Sequence, residues 1–294
     1  MRGRARLGIS KGGNTKADLH LHSTASDGTC APDELVRRAH ALGLTCIALT
    51  DHDSAEGVAV AAREAKRLQL AFIPGVELSC GASKEIHILG YGVDPGCAAF
   101  TAFCRRRRQE REERAEQMVE RLIAAGKPIA LSRVRELARG VIARPHVARA
   151  LVEAGHASSV SDAFDRFLTP GRCAYVPKRE VRVAEAVEVI RQAGGVAVLA
   201  HPMELKMGEA ALTSLVEAWK AQGLAGIEVY HPSAANNQTS FLLSLARREG
   251  LLVTGGSDYH GETVRDSAIF QGLDRWKTME DDVRALVHAI KGGM

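Results

Sequence analysis

The chain has 294 residues, of which 46% are hydrophobic and 25% are charged, so it is long enough and apolar enough to bury a sizeable core. No run of about 18 apolar residues occurs, so we expect no membrane-spanning helix and no membrane partner. The six cysteines have no CxxC and no regular spacing, which predicts reduced, buried thiols in a cytoplasmic protein.

The first 16 residues, MRGRARLGISKGGNTK, carry five basic side chains and no acidic one. They lack the apolar segment of a signal peptide, so we interpret residues 1–16 as a disordered leader or a cloning remnant. Without them the formal net charge changes from +4 to −1, and the overall charge therefore indicates no particular class of partner.

Short β-rich runs alternate with helical patterns along most of the remaining chain. The predicted strands are residues 17–21, 45–50, 71–78, 86–91, 196–200, 226–230 and 251–254, and the predicted helices outside the central region are 32–42, 54–68, 183–193, 209–222 and 238–249. Strands that alternate with helices indicate parallel β/α units. Seven such strands favour a barrel over an open sheet.

The alternation stops at residues 100–176, where a long charged helix containing RRRRQEREER precedes shorter helical segments. Residues 100–175 hold 15 Arg and Lys against nine Asp and Glu, a net charge of +6, which leaves −7 for the rest after the leader is removed. We interpret 100–176 as a helical insertion domain over the barrel mouth, and 17–99 with 177–294 as the barrel domain. Most of its arginines are expected on a solvated face, paired with acidic residues one turn away.

Polar side chains collect where the predicted strands end, and seven of the eleven histidines belong to this set. In a β/α barrel the carboxyl ends of the strands meet at one mouth, so these groups are expected in one bowl. Burying imidazoles and carboxylates costs free energy unless cations compensate them. A ligand set of imidazoles and carboxylates that contains no thiolate suits Mn, Fe or Zn. Their number indicates two or three ions. The set is His20, His22, Asp27, His52, Glu77, His87, His201, His231, Asp258 and His260.

The segments DLHLHSTASDG, ALTDHDS, IPGVELS, HILGYG, LAHP and SDYHG together resemble the PHP (polymerase and histidinol phosphatase) family of metal-dependent phosphoesterases. The resemblance implies an α/β fold, a distorted (β/α)7 barrel, with three divalent ions: Mn, or alternatively Fe or Zn. It implies His20, His22, Glu77 and Asp258 for the first ion; Glu77, His87 and His201 for the second; and Asp27, His52 and His260 for the third. It also implies that Asp18 and Asp51 orient ligands, whereas Asp53 receives no role.

The insertion, its ARPHVARAL segment and the later YVPK narrow the resemblance to bacterial phosphatases that remove the 3′-phosphate of 3′,5′-bisphosphonucleosides. Related members hydrolyse nucleoside monophosphates or trim short 5′-phosphorylated RNA. The implied reaction is attack by a metal-bridging hydroxide, and the expected partner is a phosphorylated nucleoside or short oligonucleotide, without a stable nucleic-acid complex. Arg144, His146 and Lys178 are expected to contact the substrate. His231 is expected to bind the scissile phosphate or protonate the leaving group.

Three other functions stay open at this point. A histidinol phosphatase has the same barrel but a substrate too small to need a long basic insertion. An amidohydrolase also has HxH after its first strand, yet it is expected to have eight strands and often a bridging lysine. A non-catalytic metal-binding or nucleic-acid-binding module is disfavoured because every expected ligand is present and aromatic residues are only 4% of the chain.

Overall fold

The computed structural model describes residues 15–81, 85–261, 268–269 and 279–292, so nearly all of the predicted leader lies outside the described residues. One sheet runs through the structure in chain order. Its strands are β1 (Ala17–Asp18), β2 (Cys46–Leu49), β3 (Ala71–Cys80), β4 (Ile86–Tyr91), β5 (Val196–Leu199), β6 (Gly226–Tyr230) and β7 (Leu252–Gly255). No helix in this part of the chain is both long and apolar enough to cross a membrane.

Helices follow most of the strands, as the sequence predicts. They are α1 (Pro32–Ala41), α2 (Val58–Arg67), α3 (Ala98–Ala124), α4 (Leu131–Ala138), α5 (Arg144–Glu153), α6 (Val160–Ala163), α7 (Val183–Gln192), α8 (Glu209–Lys220), α9 (Asn236–Glu249) and α10 (Met279–Gly292). The predicted start of α2 at Ser54 is wrong. The Ser54 hydroxyl accepts a hydrogen bond from the Glu56 N–H at 3.2 Å, which makes a turn ahead of the helix.

The sheet closes almost completely into a barrel. Leu21 forms a parallel bridge with Tyr259, and the His22 N–H donates to the Tyr259 carbonyl at 3.0 Å. β1 is shorter than predicted. After Asp18, a side chain takes the place of a backbone partner in the ladder, because the Leu21 N–H donates to Thr50 Oγ1 at 3.1 Å. The α/β barrel of seven strands that the sequence predicts is confirmed.

β4 runs antiparallel to both neighbours, so the expectation of uniformly parallel units is wrong at this strand. It begins at Ile86, shortly after β3 ends at Cys80, and Ser79 pairs with His87 in the antiparallel register. Antiparallel strands need only a short connection, whereas parallel strands need a crossover. The reversal brings the start of β4, rather than its end, to the barrel mouth, and His87 lies there.

Helix α3 contributes side chains to two separate apolar clusters. Phe100 and Phe103, in its first turns, pack in the core of the barrel. Met118 and Leu122, near its end, pack in a second core with residues of α4 to α6, such as Leu151. The first turns of α3 thus belong to the barrel core, beyond the predicted boundary at residue 100, and the single helix carries the chain from one core into the other.

Candidate metal centre

Glu77, in β3, lies at the centre of the barrel mouth and is fully buried. Its two carboxylate oxygens face five histidines that arrive from four different parts of the chain. Oε2 lies within 3.2 Å of ring nitrogens of His20, His22 and His52, and Oε1 lies within 3.0 Å of His87 and His201. One carboxylate in contact with five imidazoles is a donor arrangement that fits divalent cations.

The structure brings all nine predicted ligands together at this mouth. Among the described residues, four groups have ligand atoms within 4.8 Å of one another: one consists of Glu204, His231 and Asp258, and three consist of predicted ligands only. These three are His20, His22, Glu77 and Asp258; His22, Asp27, His52 and His260; and His52, Glu77 and His87. The first matches the implied set for one ion, and the second is the implied third set with His22 added. His201 joins the remaining group, because its Nε2 lies 3.2 Å from His87 Nδ1.

Several of these ligand atoms are buried without a hydrogen-bond partner among the described residues. They are His20 Nε2, both ring nitrogens of His22, Asp27 Oδ1, His52 Nδ1 and Glu77 Oε2. Leaving such atoms unsatisfied costs free energy, and a divalent cation supplies the missing partner. Imidazole nitrogens with carboxylate oxygens are a donor set for first-row divalent metals, so the residues present fit such ions.

Protons and metal ions compete for the ring nitrogens and carboxylate oxygens of this cluster. Burial opposes charging of His22, but the nearby carboxylates of Asp258 and Glu77 raise its pKa to about 9. At His52 burial, together with the neighbouring His22 and His87, outweighs the carboxylates and lowers the pKa to about 3. Burial also opposes ionisation of Glu77, yet His52 and the other imidazoles hold its pKa well below the usual range. Metal binding at the cluster therefore releases protons.

Asp18 and Asp51 hold the segments that carry the ligands. Asp18 accepts hydrogen bonds from the Ser257 hydroxyl at 2.6 Å and the Ser257 N–H at 2.9 Å, next to Asp258. Asp51 accepts from the hydroxyls of Ser23 and Ser26, both at 2.7 Å, and so fixes the loop between His22 and Asp27. These contacts are the orienting role that the resemblance implies for the two aspartates.

Strained backbone marks the same region. His201 has φ +26°, Asp258 has φ +52° and Asp53 has φ +50°, all in the left-handed region that residues with a Cβ rarely adopt. Such strain persists only where surrounding contacts enforce it, and it collects at functional sites. The three residues lie at the barrel mouth, immediately after strands or next to a ligand.

Asp53 has a role that the sequence did not reveal. Its Oδ2 lies 2.6 Å from Nη2 of Arg111 in α3, and its Oδ1 accepts from the Ser79 N–H at 3.0 Å. Burial opposes ionisation of Asp53, but Arg111 and Arg107 lower the pKa of its carboxyl. The side chains of Arg111 and Arg107 are only 14% and 3% exposed, so the expectation of a solvated helix face is wrong for these two arginines.

A cationic cavity of about 280 Å³ lies between the metal groups and the insertion. His52 and His87 line one side. Six basic residues line it: Arg107, Arg111, Arg114, Arg144, Lys178 and Arg179. Lys178 Nζ is buried there without a hydrogen-bond partner in the described chain, and burial lowers its pKa to about 8. A second cavity, of about 290 Å³, lies beside His201 and includes Glu204 and Lys206.

The four predicted substrate contacts have different surroundings. Arg144 lines the cationic cavity, forms an ion pair with Glu85 and lies 5.5 Å from the centroid of the Phe164 ring. His146 lies outside the lining of that cavity. It is 1% exposed, its Nδ1 accepts from the Ala143 N–H at 3.0 Å as a cap of α5, and burial lowers its pKa to about 4.

His231, the predicted catalytic residue, lies at the edge of the metal groups. Its Nε2 is 3.6 Å from Asp258 Oδ2 and, within the described residues, has no hydrogen-bond partner. Its Nδ1 lies 2.7 Å from the Ser233 hydroxyl, which fixes the orientation of the ring. The free Nε2 therefore points to the side of the site where Asp258 lies.

Comparison with known proteins identifies the family. A sequence profile described as the PHP domain matches residues 18–124. A "5'-3' exoribonuclease Rnm" of Escherichia coli is 38% identical over 247 residues, covering 83% of this chain and 84% of that protein. The chain belongs to the PHP family. A "3',5'-nucleoside bisphosphate phosphatase" of Chromobacterium violaceum is 38% identical over 254 residues, covering 85% of this PHP chain and 89% of that protein.

A solved structure agrees with this assignment. It comes from Bifidobacterium adolescentis, carries a provisional description as a metal-dependent phosphoesterase, and superposes with a TM-score of 0.84 at 32% identity. The match covers 94% of this chain and 96% of that one. The PHP protein described here is therefore a metal-dependent phosphoester hydrolase, which excludes a non-catalytic binding module. The barrel has seven strands, one fewer than expected for an amidohydrolase, but a solved structure from Chromobacterium violaceum that superposes with a TM-score of 0.81 at 35% identity is described as an amidohydrolase.

Proposed function

We propose that this PHP protein hydrolyses the 3′-phosphate of 3′,5′-bisphosphonucleosides. The observation that carries the proposal is the cationic cavity with the unpartnered Lys178 ammonium, directly beside the metal groups at His52 and His87. A substrate with two phosphates matches a site with two anion-binding regions. The relative from Chromobacterium violaceum, whose name describes this activity, supports the same substrate class.

The cavity contains positive charge that its own carboxylates leave uncompensated. Arg144 pairs with Glu85, and Arg107 pairs with Glu110. Arg114 forms no ion pair in the described part of the chain and donates from Nε to the Val176 carbonyl at 2.8 Å. Burial lowers its pKa to about 10, so it stays a cation at neutral pH. Arg114 and Lys178 are therefore the groups we expect to bind the 5′-phosphate.

The ligand set proposed for three divalent ions, most suitably Mn, is the one predicted above: His20, His22, Asp27, His52, Glu77, His87, His201, Asp258 and His260. Such ions supply a Lewis acid that lowers the pKa of water to about 7 and neutralises phosphate charge. No side-chain nucleophile is then required.

The chain's own residues orient the substrate and the leaving group. Arg114 and Lys178 anchor the 5′-phosphate and so direct the 3′-phosphate toward Glu77 and its histidines. The Ser233 hydroxyl fixes His231, whose free Nε2 is placed to hold a proton for the departing 3′-oxygen. The insertion covers this region and limits the access of bulk water.

One observation favours a second activity, removal of nucleotides from short 5′-phosphorylated RNA. The cavity beside His201 opens on the other side of the same ligand groups, and Lys206 and Leu205 line it. Its volume of about 290 Å³ gives room for a downstream nucleotide while the 5′-phosphate occupies the cationic cavity. The Escherichia coli relative is named for a 5′-3′ exoribonuclease activity.

Phosphate release by the Mn²⁺-loaded protein tests the proposal directly. The phosphomonoester substrates are adenosine 3′,5′-bisphosphate, 5′-AMP and histidinol phosphate. For a short 5′-phosphorylated RNA the product measured is the released nucleoside 5′-monophosphate, and His22→Ala is the control for contaminating activity. We expect the bisphosphate to have the highest kcat/KM and 5′-AMP to accumulate. A preference for 5′-AMP or histidinol phosphate would contradict the proposed role of the cationic cavity and leave the family chemistry intact.

A further inference from the structure

Glu228 is a buried carboxylate at the metal centre that belongs to none of the ligand groups. It lies in β6, in the sequence GIEVY, and is fully buried. Its Oε1 lies 2.9 Å from Nδ1 of His20. Its Oε2 accepts a hydrogen bond from the backbone N–H of His201 at 2.7 Å. One side chain therefore contacts two proposed ligands that follow different strands.

The contact with His20 selects a tautomer. An ionised carboxylate only accepts hydrogen bonds, so His20 Nδ1 carries a proton and donates it to Glu228. The lone pair of the neutral ring is then on Nε2, which lies 3.2 Å from Glu77 Oε2 and 3.4 Å from Asp258 Oδ1. Glu228 thus directs the free nitrogen of His20 into the first ligand group.

The contact with His201 holds a strained backbone. His201 has φ +26° and ψ 58°, a conformation that a residue with a Cβ adopts only under constraint. The hydrogen bond from its N–H to Glu228 fixes this peptide, and the ring then reaches Glu77 Oε1 at 3.0 Å through Nε2. The same carboxylate therefore controls a ligand on each side of Glu77.

We infer that Glu228 is a positioning residue that fixes His20 and His201 together and so sets the geometry of the two metal groups that share Glu77. The inference rests on the proposed ligand set and is independent of the substrate. Sequence reasoning missed Glu228. The sequence feature that could have indicated it is a single acidic residue inside the otherwise apolar strand segment GIEVY.

An amide at this position cannot satisfy both partners. Glutamine has one accepting oxygen and one donating nitrogen, whereas His20 Nδ1–H and the His201 N–H both need acceptors. If the oxygen faces His201, the amide nitrogen faces His20 and forces its proton onto Nε2, where a metal would bind. If the oxygen faces His20, the amide nitrogen faces the His201 N–H and the strained peptide loses its constraint. Glu228→Gln therefore perturbs one ligand in either orientation.

The test measures Mn²⁺ binding, by equilibrium dialysis with metal analysis, in the wild type, Glu228→Gln, Tyr91→Phe and His22→Ala. Tyr91 is the matched control, because it is fully buried, interacts electrostatically with Glu228 and donates to the backbone carbonyl of Leu19 at 2.9 Å. We expect Glu228→Gln to weaken Mn²⁺ binding by about 10- to 100-fold, the usual effect of losing an outer partner of a ligand. Tyr91→Phe should lower the melting temperature and leave Mn²⁺ affinity unchanged.

Two results would overturn the inference: unchanged Mn²⁺ affinity in folded Glu228→Gln, or equal losses of affinity in Glu228→Gln and Tyr91→Phe. Unchanged Mn²⁺ binding in His22→Ala would instead contradict the ligand set itself. A measurement on the wild type covers the case in which Glu228→Gln does not fold. In the Zn²⁺-loaded protein, nitrogen-15 NMR of the histidine rings should show His20 protonated at Nδ1, and a proton on Nε2 would refute the inference.

Discussion

Replacing Lys178 with methionine tests whether the cationic cavity reads the 5′-phosphate. Methionine has a similar length and no charge, so Lys178→Met removes the buried ammonium and little volume. A hydrogen bond to a charged group contributes about 1.5–3 kcal/mol, which corresponds to about a 10- to 150-fold loss of kcat/KM for adenosine 3′,5′-bisphosphate. The substrate 3′-AMP has the same scissile ester and no 5′-phosphate, so its kcat/KM should change little.

The pH dependence gives the same prediction a second readout. Burial lowers the pKa of Lys178 to about 8, so in the free enzyme the ammonium is lost as the pH rises through 8. The KM of the wild type for the bisphosphate should therefore increase above pH 8, and this increase should be absent in Lys178→Met. A buried, unpaired ammonium destabilises the fold below pH 8, and this cost decreases as the pH rises toward 10.5. Lys178→Met should thus melt at the same or a higher temperature at pH 7.

Lys66→Met is the control variant, because Lys66 is exposed on α2 and lines neither the cationic cavity nor the cavity beside His201. It should keep the kinetic constants of the wild type for both substrates. Equal losses for the bisphosphate and 3′-AMP in Lys178→Met would refute the reasoning, since they would place Lys178 at the scissile phosphate or in a general structural role.

Three further predictions concern the metal centre and its support. A Cβ at Gly256 would lie 2.0 Å from His20 Cβ, so Gly256→Ala should weaken Mn²⁺ binding in equilibrium dialysis. Gly208→Ala is the control: a Cβ at Gly208 has no atom within 4 Å, and Mn²⁺ binding should not change. Arg111→Ala removes the closer of the two guanidinium groups beside the buried Asp53 carboxylate and leaves only Arg107, 3.9 Å away. Urea unfolding should therefore show a loss of about 3 kcal/mol, and a loss below about 1 kcal/mol would count against the Asp53–Arg111 pair. Chelation of divalent ions should abolish phosphate release and lower the melting temperature, and added Mn²⁺ should reverse both; a melting temperature indifferent to Mn²⁺ would argue against binding at the buried cluster.

The strand-end histidines were predictable because a local pattern carries the information. In segments such as HLH and LAHP, apolar strand residues end in polar groups that no apolar core would tolerate, and the barrel topology then brings them together. The reversal of β4 was not predictable in this way. A buried strand such as Ile86–Tyr91 has the same apolar pattern in either direction, and only its partners β3 and β5 decide the direction.

The buried arginines of α3 show a different limit of sequence reasoning. Arg107 and Arg111 lie in a run of charges without apolar periodicity, which is typical of a solvated helix. Their partner Asp53 is 58 residues from Arg111 along the chain, so nothing local indicates the pair. His146 illustrates the opposite case: an isolated histidine in a motif predicted a substrate contact, and the structure uses its ring to cap α5.

The course of α3 also bears on how such enzymes diversify. Phe100 and Phe103 pack in the core of the barrel. About 12 Å further along the helix axis, Arg111 forms an ion pair with Asp53. Leu122, near the end of the helix, packs in the second core. One helix thus connects the barrel, which carries the candidate ligand groups, with the insertion, which supplies part of the lining of the cationic cavity. A change of the insertion beyond Arg111 would therefore alter cavity residues such as Arg114 and Arg144, and would leave the histidines of the barrel mouth in place.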